Sequence, residues 1–395
     1  TRGPLVRRRE LRARAAAALA EVGRPDVPLD VAAGRLSVAE QQLVEIARSV
    51  AVGSRVLVLD EPTSSLAQQD VQRLFALIRR LRAQGQAIIY ISHFLEEVKE
   101  LGDRFTVLRD GLVSGGGAVA DVAPADIAAM MVGRQVDDLY PRSPRTPGET
   151  VLEVRHLAGA AKPVDASLTL RRGEVVGVAG IVGAGRTELI RAVMGLDPVV
   201  GGELRVAALG GWQNPAIRWR QGVGLVSEDR KREGLALELS IAENITLPRL
   251  ERLGPGRLVL PAAQQRAARG LIDRLGIKCR SPRDPVAALS GGNQQKVALA
   301  RLLHAGCDVL LLDEPTRGID VAAKAHIYRL IAHLAAGDAA AGRPPCAVLM
   351  ISSYLPELLG VCDRIAVMYR GRLGPAAPVE QLDEHRIMLA ATGAA

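Results

Sequence analysis

The sequence is poor in aromatic residues and in cysteine. Aromatic side chains make up 3% of the 395 residues, and the four cysteines are spread along the chain with no CxxC and no Cys/His cluster. This spacing excludes a disulfide framework and a clustered zinc site, so we interpret the cysteines as inert core thiols. Because aromatic residues are scarce, the core must be built from alanine, valine, leucine and isoleucine.

The sequence also has no long hydrophobic run. No apolar stretch approaches the ~18 residues needed to span a bilayer, which favours a cytosolic protein. The formal net charge is +8, but the arginine-rich segments 6–10 and 79–82 lie in helical patterns without stacking aromatic residues. We interpret them as solvated helix faces, and we expect no nucleic acid partner. With 48% hydrophobic residues, the chain should be globular, with two or three domains.

An internal repeat is the most informative feature of the sequence. Residues 36–63 align without a gap to residues 289–316, at an offset of 253. Two later segments, 91–98 and 103–111, have counterparts 260 residues further along the chain. The repeat indicates that the chain contains two copies of one module.

Helix and strand patterns alternate within each copy. In the first copy, the pattern predicts helices over 38–52 and 70–82 and strands over 55–60 and 87–91. Apolar strands joined by helices predict an α/β fold with a mainly parallel sheet covered on both faces. Ligands of such sheets bind beyond the carboxyl ends of the strands.

A glycine-rich turn in the second copy has the context of a phosphate-binding loop. It follows the predicted strand 175–180 and precedes a helical pattern, and it matches G-x-x-x-x-G-K-[ST] with arginine in place of lysine. The planar guanidinium does not reproduce a compact lysine ammonium, so we expect nucleotide binding with inefficient hydrolysis. The residues assigned to this loop are Gly180, Gly183, Ala184, Gly185, Arg186, Thr187 and Glu188.

Carboxylate pairs follow an apolar strand in each copy. Asp60 with Glu61, and Asp313 with Glu314, stand at matching positions of the repeat. An aspartate there can hold Mg²⁺, and the adjacent glutamate can orient or deprotonate the attacking water. We therefore predict Mg²⁺ ligands at Asp60, Asp313 and Thr187. A further anion-binding helix start is predicted at Ser290, Gly291 and Gly292.

These motifs together resemble the ATP-binding cassette (ABC) family. The signature "LSGGNQQ" (289–295), the strand "VLLLDEP" (309–315) and His93 in "YISHFLEE" are the residues that carry the resemblance. A finer resemblance is to the double-cassette ATP-binding subunits of bacterial simple-sugar importers of the ribose, galactose and xylose type. It is carried by "GAGRTEL" (183–189), "VSEDRKREGL" (226–235) and "MVGRQVDDLYPR" (131–142).

The resemblance implies a P-loop NTPase fold with two tandem ABC nucleotide-binding domains. Residues 1–133 are expected to be the C-terminal part of the first domain, 134–150 a linker, and 151–395 the complete second domain. The P-loop of the first domain is not in this sequence. The chain is therefore either a fragment or a natively truncated protein, and we favour the fragment.

Two composite ATP sites follow from the resemblance, each pairing one domain with the signature of the other. The better site has Asp60, Glu61 and His93 as catalytic residues and binds ATP through Ser290, Gly291, Gly292 and Asn293. The weaker site pairs the Arg186 loop, Asp313 and Glu314 with Ser37 and the altered signature 38–40, where Glu40 would repel the γ-phosphate. Ser353 stands there in place of the switch histidine. We expect this second site to bind nucleotide and to turn it over poorly.

The resemblance also implies ligands and partners. ATP and Mg²⁺ are the expected ligands, and the protein would work at the cytoplasmic face of the cell membrane. Two integral-membrane sugar permease subunits would dock on segment 227–250, and an extracytoplasmic sugar-binding protein would act indirectly. The transported sugar stays open. Two alternatives stay open as well: a soluble double-cassette ATPase of the translation-factor type, and a non-catalytic ABC protein.

Overall fold

The computed structural model describes residues 7–63, 66, 68–92, 94–109, 111–132, 140, 145–207, 209–211, 213–251, 253–256, 258–337 and 344–394. The chain divides into two compact units, Thr1–Val136 and Asp137–Ala395. His93 and most of the predicted linker 134–150 lie outside the described residues. Within the described ranges, none of the helices combines the length and the hydrophobicity that a bilayer crossing requires.

The first unit alternates helices and strands as its sequence pattern predicts. The predicted helices 38–52 and 70–82 and the predicted strands 55–60 and 87–91 are confirmed to within two residues at each end. The elements are α1 Arg8–Glu21, α2 Val38–Val52, β1 Val56–Asp60, α3 Gln68–Ala83, β2 Ala87–Ile91, α4 Leu95–Leu101, β3 Arg104–Arg109, β4 Leu112–Ala118 and α5 Pro124–Val132.

Among the described residues, the two-stranded parallel sheet of this unit is covered on one face only. Leu57 and Leu59 of β1 are buried in one hydrophobic cluster with residues of α2 and α3. The apolar alternate residues point to the other face, where their exposed fractions lie between 46% and 57%: Val56, Val58, Ile89 and Ile91. The expectation that helices cover both faces is wrong for this sheet, because α2 and α3 contribute to the same side.

The second unit contains a seven-stranded sheet and a four-stranded sheet in its described residues. Its elements are β5 Thr150–Gly159, β6 Ala166–Arg171, β7 Val175–Gly180, α6 Arg186–Met194, β8 Val199–Val206, β9 Leu209–Gly210, α7 Pro215–Arg220, β10 Val223–Val226, α8 Ile241–Thr246, α9 Pro261–Leu275, α10 Gly291–Ala305, β11 Val309–Asp313, α11 Val321–Ala336, β12 Ala347–Ile351, α12 Leu355–Val361, β13 Arg364–Tyr369, β14 Arg372–Leu373, β15 Ala377–Pro378 and α13 Glu384–Thr392.

The larger sheet has the predicted parallel core. Strands β10, β11, β12, β7 and β13 are parallel neighbours in that order, and β14 and β15 pair antiparallel with β13. Every residue of β11 and β12 is buried, as continuous apolar strands require. Asp313 pairs with Ile351, and Ile351 pairs with Val178. The carboxyl ends of β7, β11 and β12 therefore meet at one edge of the sheet.

The four-stranded sheet was not foreseen from the sequence. Its antiparallel order is β6, β5, β8 and β9, and Leu152 and Val154 of β5 are buried in one cluster with Val178 of β7 and Leu189 of α6. Strand β5 pairs with β8 across the intervening β6, β7 and α6. Such a long-range pairing leaves no periodic signal in either strand alone. Its consequence is that the connection between β5 and β6 lies beside the glycine-rich loop.

Candidate functional site

The glycine-rich loop joins β7 to α6, as predicted. Gly180 has a φ of +154°, and a β-carbon there would lie 2.6 Å from the carbonyl oxygen of Met368, so only glycine fits without displacement. The first helical hydrogen bond of α6 runs from the Leu189 amide to the Gly185 carbonyl, at 3.0 Å. The amides of the preceding residues, from Arg186 to Glu188, thus face the loop and form a cradle suited to an anion.

The side chain of Arg186 lies beneath the loop and does not extend to where an anion in the cradle would bind. Its side chain is buried, and its Nη1 donates a hydrogen bond to the Ser352 carbonyl at 2.8 Å. Its Nη2 lies 3.6 Å from Oε1 of Glu314, and both side chains of this ion pair are 9% exposed. The guanidinium therefore joins the ends of β11 and β12 beneath the loop.

Asp313 and Glu314 are buried carboxylates at the end of β11. Burial raises the pKa of Asp313 to about 6, although a hydrogen bond with Thr187 and the charge of Arg186 oppose the shift. Burial likewise raises the pKa of Glu314 to about 7, with Arg186 and a hydrogen bond with Ser353 opposing it. Asp313 is 2% exposed, and its Oδ1 has no hydrogen-bond partner among the described residues. A buried carboxylate oxygen without a partner beside a threonine hydroxyl fits a hard divalent cation.

Both glutamates after the aspartates adopt the same strained backbone. Glu61 has a φ of +44° and Glu314 a φ of +46°, in the left-handed region that non-glycine residues seldom adopt. Each donates its amide to the last residue of the neighbouring strand at 2.9 Å, Glu61 to Ile91 and Glu314 to Ile351. The repeat is thus preserved in the backbone, since each unit holds the glutamate of its Asp-Glu pair in the same conformation.

A buried carboxylate that the sequence reasoning missed supports this edge of the sheet. Glu357 on α12 accepts hydrogen bonds from Thr316 Oγ1 at 2.7 Å and from Ser352 Oγ at 2.5 Å. The first unit holds the corresponding Glu97, which accepts from Ser92 Oγ at 2.6 Å. Both glutamates lie in the segments related by the offset of 260, so the repeat itself held the signal that could have found them.

The predicted signature residues of the second unit lie at the start of α10. Ser290 precedes the helix, and its Oγ accepts a hydrogen bond from Asn293 Nδ2 at 2.9 Å. Gly292 is buried. A β-carbon on Gly291 would come within 2.8 Å of Arg230 Nη2. The missing side chain of Gly291 therefore makes room for the guanidinium of Arg230.

The corresponding helix start of the first unit has a different hydrogen-bonding pattern. Ser37 and Glu40 form a capping box, in which the Glu40 carboxylate accepts from the Ser37 amide at 2.9 Å and from the Ser37 hydroxyl at 2.7 Å. The pKa of Glu40 is lowered, and these hydrogen bonds from Ser37 are the largest cause. Within the first unit, the carboxylate is thus turned back onto the cap.

Only part of the predicted docking segment 227–250 is accessible. Five of the six residues of α8 are buried, so this helix cannot be a docking surface as predicted. Leu247, which follows α8, is 51% exposed. The longer accessible part runs from Ser227 to Leu239 and is interrupted by the buried Leu235. It borders a cavity of about 380 Å³, whose lining includes Met194, Leu196, Trp219, Leu225 and Glu233.

Arg230 links this accessible part to the end of the Asp313 strand. Its Nη1 donates to the Arg317 carbonyl at 2.9 Å and its Nη2 to the Gly318 carbonyl at 3.3 Å. Glu228 forms an ion pair with the side chain of Arg317. Two side chains of the segment thus hold the loop that follows Glu314.

Comparison with known proteins identifies one matching family and relatives whose names agree with it. The family described as "ABC transporter" matches residues 3–64 and 164–317. The ribose import ATP-binding protein RbsA 1 of Rubrobacter xylanophilus is 45% identical over 90% of this chain and 70% of its own length. The ribose import ATP-binding protein RbsA of Geobacillus kaustophilus is 41% identical, over 98% and 77%. A structure of ribosome-bound archaeal Pelota and ABCE1 has a TM-score of 0.64 at 21% identity, covering 95% of this chain and 61% of that one.

Proposed function

Because this chain belongs to the ABC transporter family, we propose that it is the ATP-binding and ATP-hydrolysing subunit that energises the import of a simple sugar. The observation that carries the proposal is the identity of 41–45% with ribose import ATP-binding proteins over at least 90% of the chain. The ribosome-bound structure is 21% identical to this chain, and at that identity the similarity supports a common fold alone. The translation-factor alternative therefore has less support.

In the second unit, ATP binds with its phosphates against the loop from Gly180 to Gly185 and the first turn of α6. The backbone amides of that turn and the helix dipole favour the negative charge. Asp313 and Thr187 would hold Mg²⁺, which when bound neutralises part of the phosphate charge. The buried, unpartnered Oδ1 of Asp313 supports this assignment.

The two sites of the proposed subunit differ in turnover. Glu61 is the catalytic base of the better site, Asp60 precedes it in the same motif, and His93 is the switch histidine of a separate motif. In the second unit, Glu314 is held in an ion pair with Arg186, and Ser353 stands where His93 stands in the first. With a pKa of about 7, Glu314 is partly protonated at neutral pH, and its ionised form is engaged by Arg186, so little of it is available to take a proton from water. This site therefore holds nucleotide more than it hydrolyses it.

A membrane permease, in two copies, is the proposed partner of the subunit. It docks at the cavity beside Ser227–Leu239, whose lining combines apolar side chains with the ion pair of Arg191 and Glu233, 2.8 Å apart. Apolar anchors with a charged rim are typical of a protein interface. The subunit would then lie at the cytoplasmic face of the membrane, and an extracytoplasmic sugar-binding protein would deliver the sugar.

Transport assays on a strain lacking the gene test the proposal. Uptake of radiolabelled ribose, galactose and xylose is measured after deletion and after complementation with the natural gene, with a Glu61→Gln gene or with a Glu314→Gln gene. We expect the deletion to abolish uptake of at least one sugar, and the natural and Glu314→Gln genes to restore it. The Glu61→Gln gene should not restore it.

Two outcomes would contradict the proposal, each at a different point. Unchanged uptake of all three sugars in the deletion strain would contradict a role in their import. Restoration by Glu61→Gln but not by Glu314→Gln would reverse the assignment of the two sites.

A further inference from the structure

The connection between β5 and β6 is fixed to the rim of the glycine-rich loop. Gly371 bridges the two segments, because its amide donates to the Ala184 carbonyl at 2.7 Å and its carbonyl accepts from the Val164 amide at 2.6 Å. Within the connection, the Gly159 amide donates to the Pro163 carbonyl at 2.8 Å. These backbone bonds hold Lys162, which lies between them, in a defined position beside the loop.

The side chain of Lys162 runs across the loop. A β-carbon on Gly185 would lie 3.3 Å from both Cβ and Cδ of Lys162, so the lysine stem occupies the space that the glycine leaves open. The Lys162 ammonium donates a hydrogen bond to the Gly183 carbonyl. Because an ammonium has three donor hydrogens, two remain for another acceptor. Lys162 is partly exposed, so a ligand in the loop can reach it.

The loop's own basic residue is turned away from such a ligand. Arg186 is engaged beneath the loop by the Ser352 carbonyl and Glu314, at 2.8 Å and 3.6 Å. A nucleotide bound in the amide cradle would therefore meet no positive side chain from position 186. Lys162 lies along Gly185, is partly exposed, and carries the compact point charge that suits phosphate.

We propose that the ammonium of Lys162 binds the nucleotide's phosphate chain beyond the α-phosphate, and so supplies the cation that Arg186 does not present. This inference rests on the proposed nucleotide binding at the Gly180–Thr187 loop. It explains how a loop without the usual lysine retains affinity for ATP and ADP. It assigns to the β5–β6 connection a direct part in distinguishing these nucleotides from AMP.

Calorimetric titration of the 395-residue chain with ATP, ADP and AMP tests this role, at two salt concentrations and in Mg²⁺-containing buffer. Lys162→Met keeps the length of the stem and removes the charge. We expect ATP and ADP to bind about tenfold to a hundredfold more weakly, as for loss of one charge-assisted hydrogen bond, and AMP to change less than about twofold. The salt dependence of ATP binding should become shallower, since one ionic contact is lost. Lys162→Arg should retain most of the affinity.

Lys296→Met is the matched control. Lys296 is also partly exposed, and its ammonium also donates to a glycine carbonyl, that of Gly276 at 2.8 Å, away from the loop. We expect this variant to bind all three nucleotides as the parent chain does. Unchanged ATP affinity in Lys162→Met, or an equal loss for ATP and AMP, would overturn the inference and leave Lys162 as a brace of the loop. A parent chain that binds no ATP would instead refute the proposed function.

Discussion

Replacement of Arg186 by methionine tests whether the guanidinium is a structural tie beneath the loop. Methionine has a similar length and no charge, so the change leaves a small cavity at most. At an effective dielectric constant of about 20, charges 3.6 Å apart attract each other by about 4–5 kcal/mol. At pH 9, about two units above the Glu314 pKa of about 7, the loss of Arg186 leaves this buried carboxyl either charged and unpaired or forced to take up a proton. We expect the free energy of unfolding of the second unit to fall by about 3–5 kcal/mol.

Scanning calorimetry measures this loss as a lower melting temperature of the second unit. For a unit of this size, about 2–4 °C per kcal/mol corresponds to a decrease of about 6–20 °C. The double variant Arg186→Met, Glu314→Gln should recover much of the loss, because no uncompensated carboxylate remains. Glu314→Gln alone should destabilise less, since Arg186 keeps its hydrogen bond to the Ser352 carbonyl.

The double-mutant cycle decides between an ion pair and mere proximity. A coupling energy of about 2 kcal/mol or more between the two substitutions supports the pair. Additive effects, within about 0.5 kcal/mol, would refute it and would show that Arg186 acts through packing or through Ser352 alone.

Three further predictions concern single residues of the second unit. Gly180→Ala places a methyl group 2.6 Å from a carbonyl oxygen, so it should weaken nucleotide binding and lower stability by about 1–3 kcal/mol; a variant that binds and melts like the parent would contradict the geometry. Burial raises the pKa of Cys307 to about 12 and of Cys346 to about 11. Folded protein at pH 8 should leave both thiols unmodified by iodoacetamide, and unfolding in guanidinium should expose them; labelling of either in the folded chain would refute their burial. Thr316→Val removes a hydrogen bond of 2.7 Å to Glu357 and should cost about 1–3 kcal/mol in chemical denaturation, whereas an unchanged midpoint would show that the bond does not contribute.

Local sequence patterns predicted much of the fold. The helix 38–52 and the strand 87–91 were predicted with the bounds that the structure shows, because each has an apolar period of its own and a turn signal at its end. The glycine-rich turn between a strand and a helix was also recognisable, since its glycines and its order along the chain carry the signal. The sequence did not predict that helices cover only one face of the first unit's sheet, or that α8 is buried. Both depend on which elements pack together in the folded chain.

The sequence by itself therefore determined the repeat, the parallel core and the positions of the loop and the carboxylate pairs. Tertiary structure decided which way the charged side chains point. Arg186 finds Glu314 and Ser352 only because three parallel strands end at one edge, and Lys162 reaches the loop only because Gly371 fastens the β5–β6 connection to it. Contacts between residues so distant along the chain depend on the packing of whole elements, and no local pattern of residues encodes them.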